Sequence, residues 1–113
     1  VWYPATDVYQ TEDGFVVRME LSGVRRDDLQ IVMQGNLLEV RGLRRSGLPP
    51  GRKRFHNLEI AMGPFLRQLK VPTEFAQGEA KASYNDGILE IKLGGKMKRK
   101  GGVVRIELVG GGE

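Results

Sequence analysis

The stretch Ala82-Ser83-Tyr84-Asn85-Asp86-Gly87-Ile88-Leu89 decides the fold. Ala80, Ala82 and Tyr84 recur at every second position before the turn, and Leu89, Ile91 and Leu93 do the same after it. Apolar side chains at that period belong to strands with one buried face. Asp86-Gly87 joins the two runs as a tight turn, because glycine tolerates the positive φ that a two-residue hairpin loop demands.

The same pattern extends outward on both sides. Leu29, Ile31 and Met33 share one face of a half-buried strand, and Gly35-Asn36 is a second hairpin signal leading into residues 37–41. Phe15, Val17, Met19 and Leu21 alternate with Val16, Arg18 and Glu20, and Glu12-Asp13-Gly14 connects that strand to residues 7–10. The 113 residues include sixteen glycines and five prolines, and no long segment repeats apolar residues at helical spacing. The class is all-β, and the length suits one domain.

Two regions break this regularity. Residues 42–59 contain Gly47-Leu48-Pro49-Pro50-Gly51 and a short apolar element around Phe55-His56-Asn57-Leu58-Glu59. A loop of that length in a small domain usually has a task, so a projecting arm is expected. After residue 93 the chain turns glycine- and lysine-rich, and Val104, Ile106 and Leu108 then alternate with Arg105 and Glu107. An isolated strand leaves its backbone groups unmatched, so this one needs an acceptor edge, on its own subunit or on a neighbour. Between these regions Phe65, Arg67, Leu69 and Val71 share a face, and Pro72 ends the run. A guanidinium there must be paired, sit at an interface or reach out to water.

Composition excludes several functions. Without cysteine there is no thiol nucleophile and no thiolate metal site. The one histidine, His56, lies in the arm, and Asp27-Asp28 and Asn85-Asp86 occupy turns where such residues serve the backbone. Neither a catalytic set, a cofactor cradle nor a metal spacing is present, and the chain is expected to be non-enzymatic. No apolar run approaches the roughly 20 residues of a membrane helix, and no secretion signal opens the chain, so a soluble protein of the reducing cytoplasm is expected. Val1 stands where an initiator methionine would be, so an N-terminal arm is expected to be missing or truncated. The net charge of +4 arises mainly from Arg41, Arg44, Arg45, Arg52, Lys53 and Arg54 and from Lys96, Lys98, Arg99 and Lys100. Both groups are expected on solvated loops and not on a nucleic-acid surface, which would interleave aromatics with the bases.

Together these segments resemble the α-crystallin domain of the small heat-shock proteins of bacterial and plant type. An alanine, four residues, then glycine, a branched aliphatic and leucine is that family's later consensus, met here by Ala82, Gly87, Ile88 and Leu89. Leu21-Ser22-Gly23-Val24 followed by Asp28-Leu29 is similar to its leucine-proline-glycine-valine turn, with serine replacing proline. Phe55–Glu59, then Gly63, Phe65, Arg67 and Pro72, is similar to its arm and following strand, and Ile106-Glu107-Leu108 is a variant of its tail motif.

The resemblance implies an immunoglobulin-like antiparallel β-sandwich over residues 1–93, with residues 42–59 as a strand-exchange arm and residues 94–113 as a flexible C-terminal extension. Phe55, His56, Leu58, Glu59 and Arg67 would form a dimer interface. Leu29, Ile31, Met33, Ala82 and Tyr84 would line a groove that receives Ile106 and Leu108. It also implies an ATP-independent chaperone that holds unfolding client proteins as a homodimer or larger oligomer, with no cofactor, nucleic acid or membrane. The alternative is a monomeric sandwich that binds one defined partner as a co-chaperone.

Overall fold

The computed structural model describes residues 2–94 and 102–109. Eight strands are present there: β1 (Thr6–Gln10), β2 (Phe15–Glu20), β3 (Leu29–Gln34), β4 (Leu37–Arg44), β5 (Gly63–Lys70), β6 (Ala80–Asn85), β7 (Ile88–Leu93) and β8 (Val103–Arg105). They form two four-stranded antiparallel sheets, ordered β1-β2-β7-β6 and β5-β4-β3-β8. The all-β class read from the alternation holds, and the architecture is the immunoglobulin-like β-sandwich that the resemblance implied.

The core is the sum of the inward parities. Val17, Met19, Leu89, Ile91, Leu93, Ala82 and Tyr84 from one sheet meet Ile31, Met33, Leu38, Val40 and Phe65 from the other. Both expected hairpins form. Asp86 (φ 54°) and Gly87 (φ 79°) both adopt positive φ between the paired residues Asn85 and Ile88, which is the backbone of a type I′ turn. Gly35 (φ 59°) supports the link between β3 and β4.

Several expectations need correction. Val16 is buried although it faces outward, because its cross-strand neighbours Tyr9 and Lys92 flank it on that face. The strand expected from Phe65 begins at Gly63, and after Pro72 the chain makes a short helix, Thr73–Ala76, that stacks Phe75 on Phe15 at 5.7 Å. The arm is displaced relative to residues 42–59: β4 runs on to Arg44, so the excursion spans residues 45–62. No strand forms in it, and the apolar element at Phe55–Glu59 lies exposed and unpaired as a strand in this single chain, because a lone strand has nothing to pair with. The radius of gyration, 15.8 Å, exceeds the about 13 Å of a compact domain of this length, as expected when an exposed arm stands off the sandwich.

The first basic cluster does not lie wholly in solvent. Arg44 has a side chain only 11% exposed, and Arg45 makes a two-pronged pair with Asp28 at 2.8 and 2.9 Å. The second cluster, Lys96 to Lys100, lies outside the described residues, as does most of the expected flexible extension.

Candidate functional site: a groove between the two sheet edges

β3 and β6 face each other across one open side of the sandwich, each with its hydrogen-bonding edge turned outward. The segment 103–109 lies between them. β8 runs antiparallel to β3, pairing Val103 with Gln34, Val104 with Met33 and Arg105 with Val32. The Ile106 amide then donates to the Ile31 carbonyl at 2.9 Å. Beyond that point the chain crosses to the other sheet, where Leu108 bridges Ala82 in parallel and the Val109 amide donates to the Ala82 carbonyl at 2.8 Å. One extended segment thus satisfies backbone groups on both edges, which is strand addition in physical terms.

Its side chains follow the same logic. Ile106 is 7% exposed and joins the core cluster with Leu29, Ile31, Met33, Ala82 and Tyr84, while Leu108 packs against that cluster half-buried. Arg105 and Glu107 point outward and pair with each other at 3.5 Å. The groove residues expected from the sequence therefore come together around the expected tail motif, within one chain. Ala82 is small enough to let the incoming segment approach its backbone.

Tyr84 has a second task that alternation alone does not reveal. Its hydroxyl lies 2.6 Å from the Leu21 carbonyl and 2.7 Å from that of Val24, sharing its one proton between them. Arg26 returns to the Tyr84 carbonyl at 3.3 Å, and the Leu21 amide donates to the Gly87 carbonyl at 2.7 Å. A Cβ on Gly87 would fall 2.6 Å from the Ser22 hydroxyl. The turn at residues 21–24 and the hairpin at residues 82–89 are thus packed on one another.

The second expected site is not assembled within the chain. Phe55, His56, Leu58 and Glu59 are all exposed on the arm, whereas Arg67 is half-buried on β5, its guanidinium donating to the Pro4 carbonyl at 3.3 Å. Arg67 thereby satisfies its odd parity through the N-terminal segment. That segment, passed over in the sequence, holds a residue of structural weight: Trp2 bridges Phe65 in parallel and stacks under Arg44. A lone tryptophan two residues before Pro4 was the available signal, but no periodicity marked it. Among the described residues no cluster of His, Asp or Glu could hold a metal ion, and no helix is long and apolar enough to cross a membrane.

Comparison with known proteins bears on the same geometry. Residues 7–108 match the model of the Hsp20/alpha crystallin family. Small heat shock protein C4 of Rickettsia felis is 27% identical over 103 residues, which is 91% of this chain and 63% of that protein. The 17.6 kDa class I heat shock protein 3 of Arabidopsis thaliana is 27% identical over 105 residues, 92% of this chain and 67% of its own length. Among solved structures, the small heat-shock protein of Xylella fastidiosa superimposes with a TM-score of 0.73 at 27% identity, covering 97% of this chain and 98% of that one. HspA of Xanthomonas axonopodis gives 0.75 at 25% identity, covering 88% and 99%.

Proposed function

The chain belongs to the Hsp20/alpha crystallin family, and from that premise we propose that this domain is a chaperone of the holding kind, which binds unfolding proteins without ATP and keeps them from aggregating. Members of this family are not enzymes. The observation that carries the reading is the seated tail: the sandwich has a groove whose two walls accept backbone hydrogen bonds and whose floor accepts alternate apolar side chains. An unfolding chain is rich in such extended apolar segments.

Assembly is proposed to use two exchanges. The tail of one subunit exchanges into the groove of another, and the arm adds to a strand edge of a second copy. β1 is the favoured acceptor for the arm. The β5 edge carries Trp2, the β6 edge carries Leu108, and β8 itself covers β3, whereas β1 has no partner on its outer side among the described residues. Charge agrees, since Arg52, Lys53 and Arg54 on the arm would approach Asp7, Glu12 and Asp13 around β1. The arm also exposes Phe55, Leu58, Ile60 and Met62, an apolar strip that a monomeric co-chaperone would leave bare.

Light scattering of a heat-labile client tests the holding activity directly. Aggregation is expected to fall at stoichiometric chaperone in the absence of ATP, and unchanged scattering would count against the domain as a self-sufficient holder. Deleting residues 55–59 is expected to convert the dimer to a monomer in sedimentation velocity. A dimer of unchanged mass would rule out arm exchange.

A further inference from the structure

The arm leaves the sandwich after Arg44 and returns at Gly63, and these two residues are cross-strand partners. The N-terminal segment is bound at this root. The Trp2 amide donates to the Pro64 carbonyl at 3.3 Å, and its indole N–H donates to the Gly63 carbonyl at 3.0 Å. The indole ring packs on Phe65 with centroids 5.3 Å apart. On the ring's other contact, the Arg44 guanidinium sits 4.2 Å from the centroid, close enough for a cation–π attraction. Arg44 in turn donates to the Ala61 carbonyl at 3.0 Å and approaches Glu20 at 3.8 Å.

Further along, Pro4 is buried, its carbonyl accepts from both Arg67 and Thr6, and the Glu20 amide donates to Ala5. The carbonyls of residues 61, 63 and 64, the last residues of the arm and the first of β5, are therefore held by donors from Arg44 and Trp2. Gly63 makes the bend with φ 101°, a conformation that does not by itself prefer one direction for the arm, since glycine is the most permissive residue there. Arg44 leaves its buried Nε without a hydrogen-bond partner among the described residues. Burying a guanidinium atom unpaired is costly, and its position under the indole answers to the ring and to Ala61 and not to complete satisfaction of its own donors.

We propose that Trp2 and Arg44 form a latch that fixes the root of the arm, so that the N-terminal segment sets how strongly two copies pair. This rests on the arm-exchange reading above. A clamped root limits the directions in which residues 45–62 can leave the sandwich, and preorganising a binding segment strengthens association by reducing the entropy lost on docking. The latch also covers the β5 edge, so that the arm of a second copy is directed to β1.

The test compares Trp2→Ala, Trp2→Phe and the deletion of residues 55–59 by sedimentation across a dilution series, with amide hydrogen exchange and thermal melting on each. Trp2→Ala is expected to weaken the dimer about tenfold, the effect of roughly 1.4 kcal/mol, and to speed exchange in residues 61–66 while β2 and β7 exchange as before. Trp2→Phe keeps a ring for Arg44 and Phe65 but loses the indole donor, so it should fall between, and it carries the test if the alanine variant does not fold. Because the chain holds one tryptophan, greater acrylamide quenching in Arg44→Lys would report the opened latch in an otherwise intact protein. If the deletion abolishes the dimer while both Trp2 variants keep wild-type affinity within about twofold, the latch is wrong and arm exchange stands. If the deletion leaves the dimer whole, arm exchange itself falls and the coupling falls with it.

Discussion

Tyr84 and Ala82 lie two positions apart on the same inward face of β6, yet they do different things. Tyr84 ties the hairpin to the turn at residues 21–24 through the Leu21 and Val24 carbonyls. Tyr84→Phe keeps the ring and removes that tie, and is expected to lower stability by about 1–3 kcal/mol, because the Val24 carbonyl loses the hydroxyl donor while the Leu21 carbonyl keeps the Val24 amide. Urea denaturation measures it, and a loss below about 0.5 kcal/mol would mean that the Val24 carbonyl finds water instead. Ala82 meets the incoming tail at Leu108. Ala82→Leu is expected to displace the tail while β6 and β7 stay paired, with overpacking of about 1–3 kcal/mol felt mainly at residues 103–109. Hydrogen exchange that quickens throughout β6 and β7 instead would place the damage in the core.

At the scale of elements, the tail is a strand with a small stake. β8 has three residues, and of the motif only Ile106 is buried, Leu108 being half-buried. Burying an isoleucine or leucine contributes about 1.5–3 kcal/mol, while ordering each residue costs roughly 1–2 kcal/mol, so attachment is weak enough to exchange. Ile106→Ala with Leu108→Ala is expected to release the tail, to speed tryptic cleavage after Arg105 by about tenfold or more, and to reduce species larger than the dimer. The sandwich should keep its own melting transition. Large assemblies that survive the double substitution would remove the tail from the assembly scheme. The arm is the complementary case, a segment whose apolar side chains Phe55, Leu58, Ile60 and Met62 are exposed in this chain and would be covered only in the proposed exchange.

For the whole molecule, two carboxylates link stability to pH. The Arg45 guanidinium hydrogen-bonded to Asp28 holds that carboxyl below its ordinary value. The Ser22 hydroxyl does the same for Glu20, with smaller help from the Ser22 amide and Arg44 and against a desolvation that acts in the other direction. Both groups bind protons less readily folded than unfolded. Their contribution is complete above the ordinary carboxylate range, about pH 4, and is lost as pH falls through the depressed folded values. The urea midpoint is therefore expected to drop on acidification below about pH 4.5, and Asp28→Asn should shallow that drop. A midpoint equally steep in the variant would assign the acid limb to other groups. Both pairs join separate parts of the fold: Asp28 beside β3 to Arg45 beyond β4, and Glu20 of β2 to Arg44.

Period-two alternation and turn dipeptides made the strands, both hairpins, the all-β class and the inward faces of β3, β6 and β7 legible from the sequence alone, because each depends on neighbours a few residues apart. The tail strand was legible for the same reason: Val104, Ile106 and Leu108 alternate, and an alternating strand without a neighbour must find an edge; which residues would line that edge came only from the resemblance to the α-crystallin domain. Three things needed the tertiary structure. Val16 is buried by Tyr9 and Lys92, the Tyr84 hydroxyl meets a turn some 60 positions away, and Trp2 and Arg44 close on the arm's root. None of these contacts leaves a trace in local periodicity, since each joins residues whose separation along the chain is set by the topology of the two sheets and not by the geometry of either strand. The motif around Ala82 and Gly87 could be read as a hairpin from its own residues, but its role as the seat of both the tail and the turn at residues 21–24 exists only when the sheets are face to face.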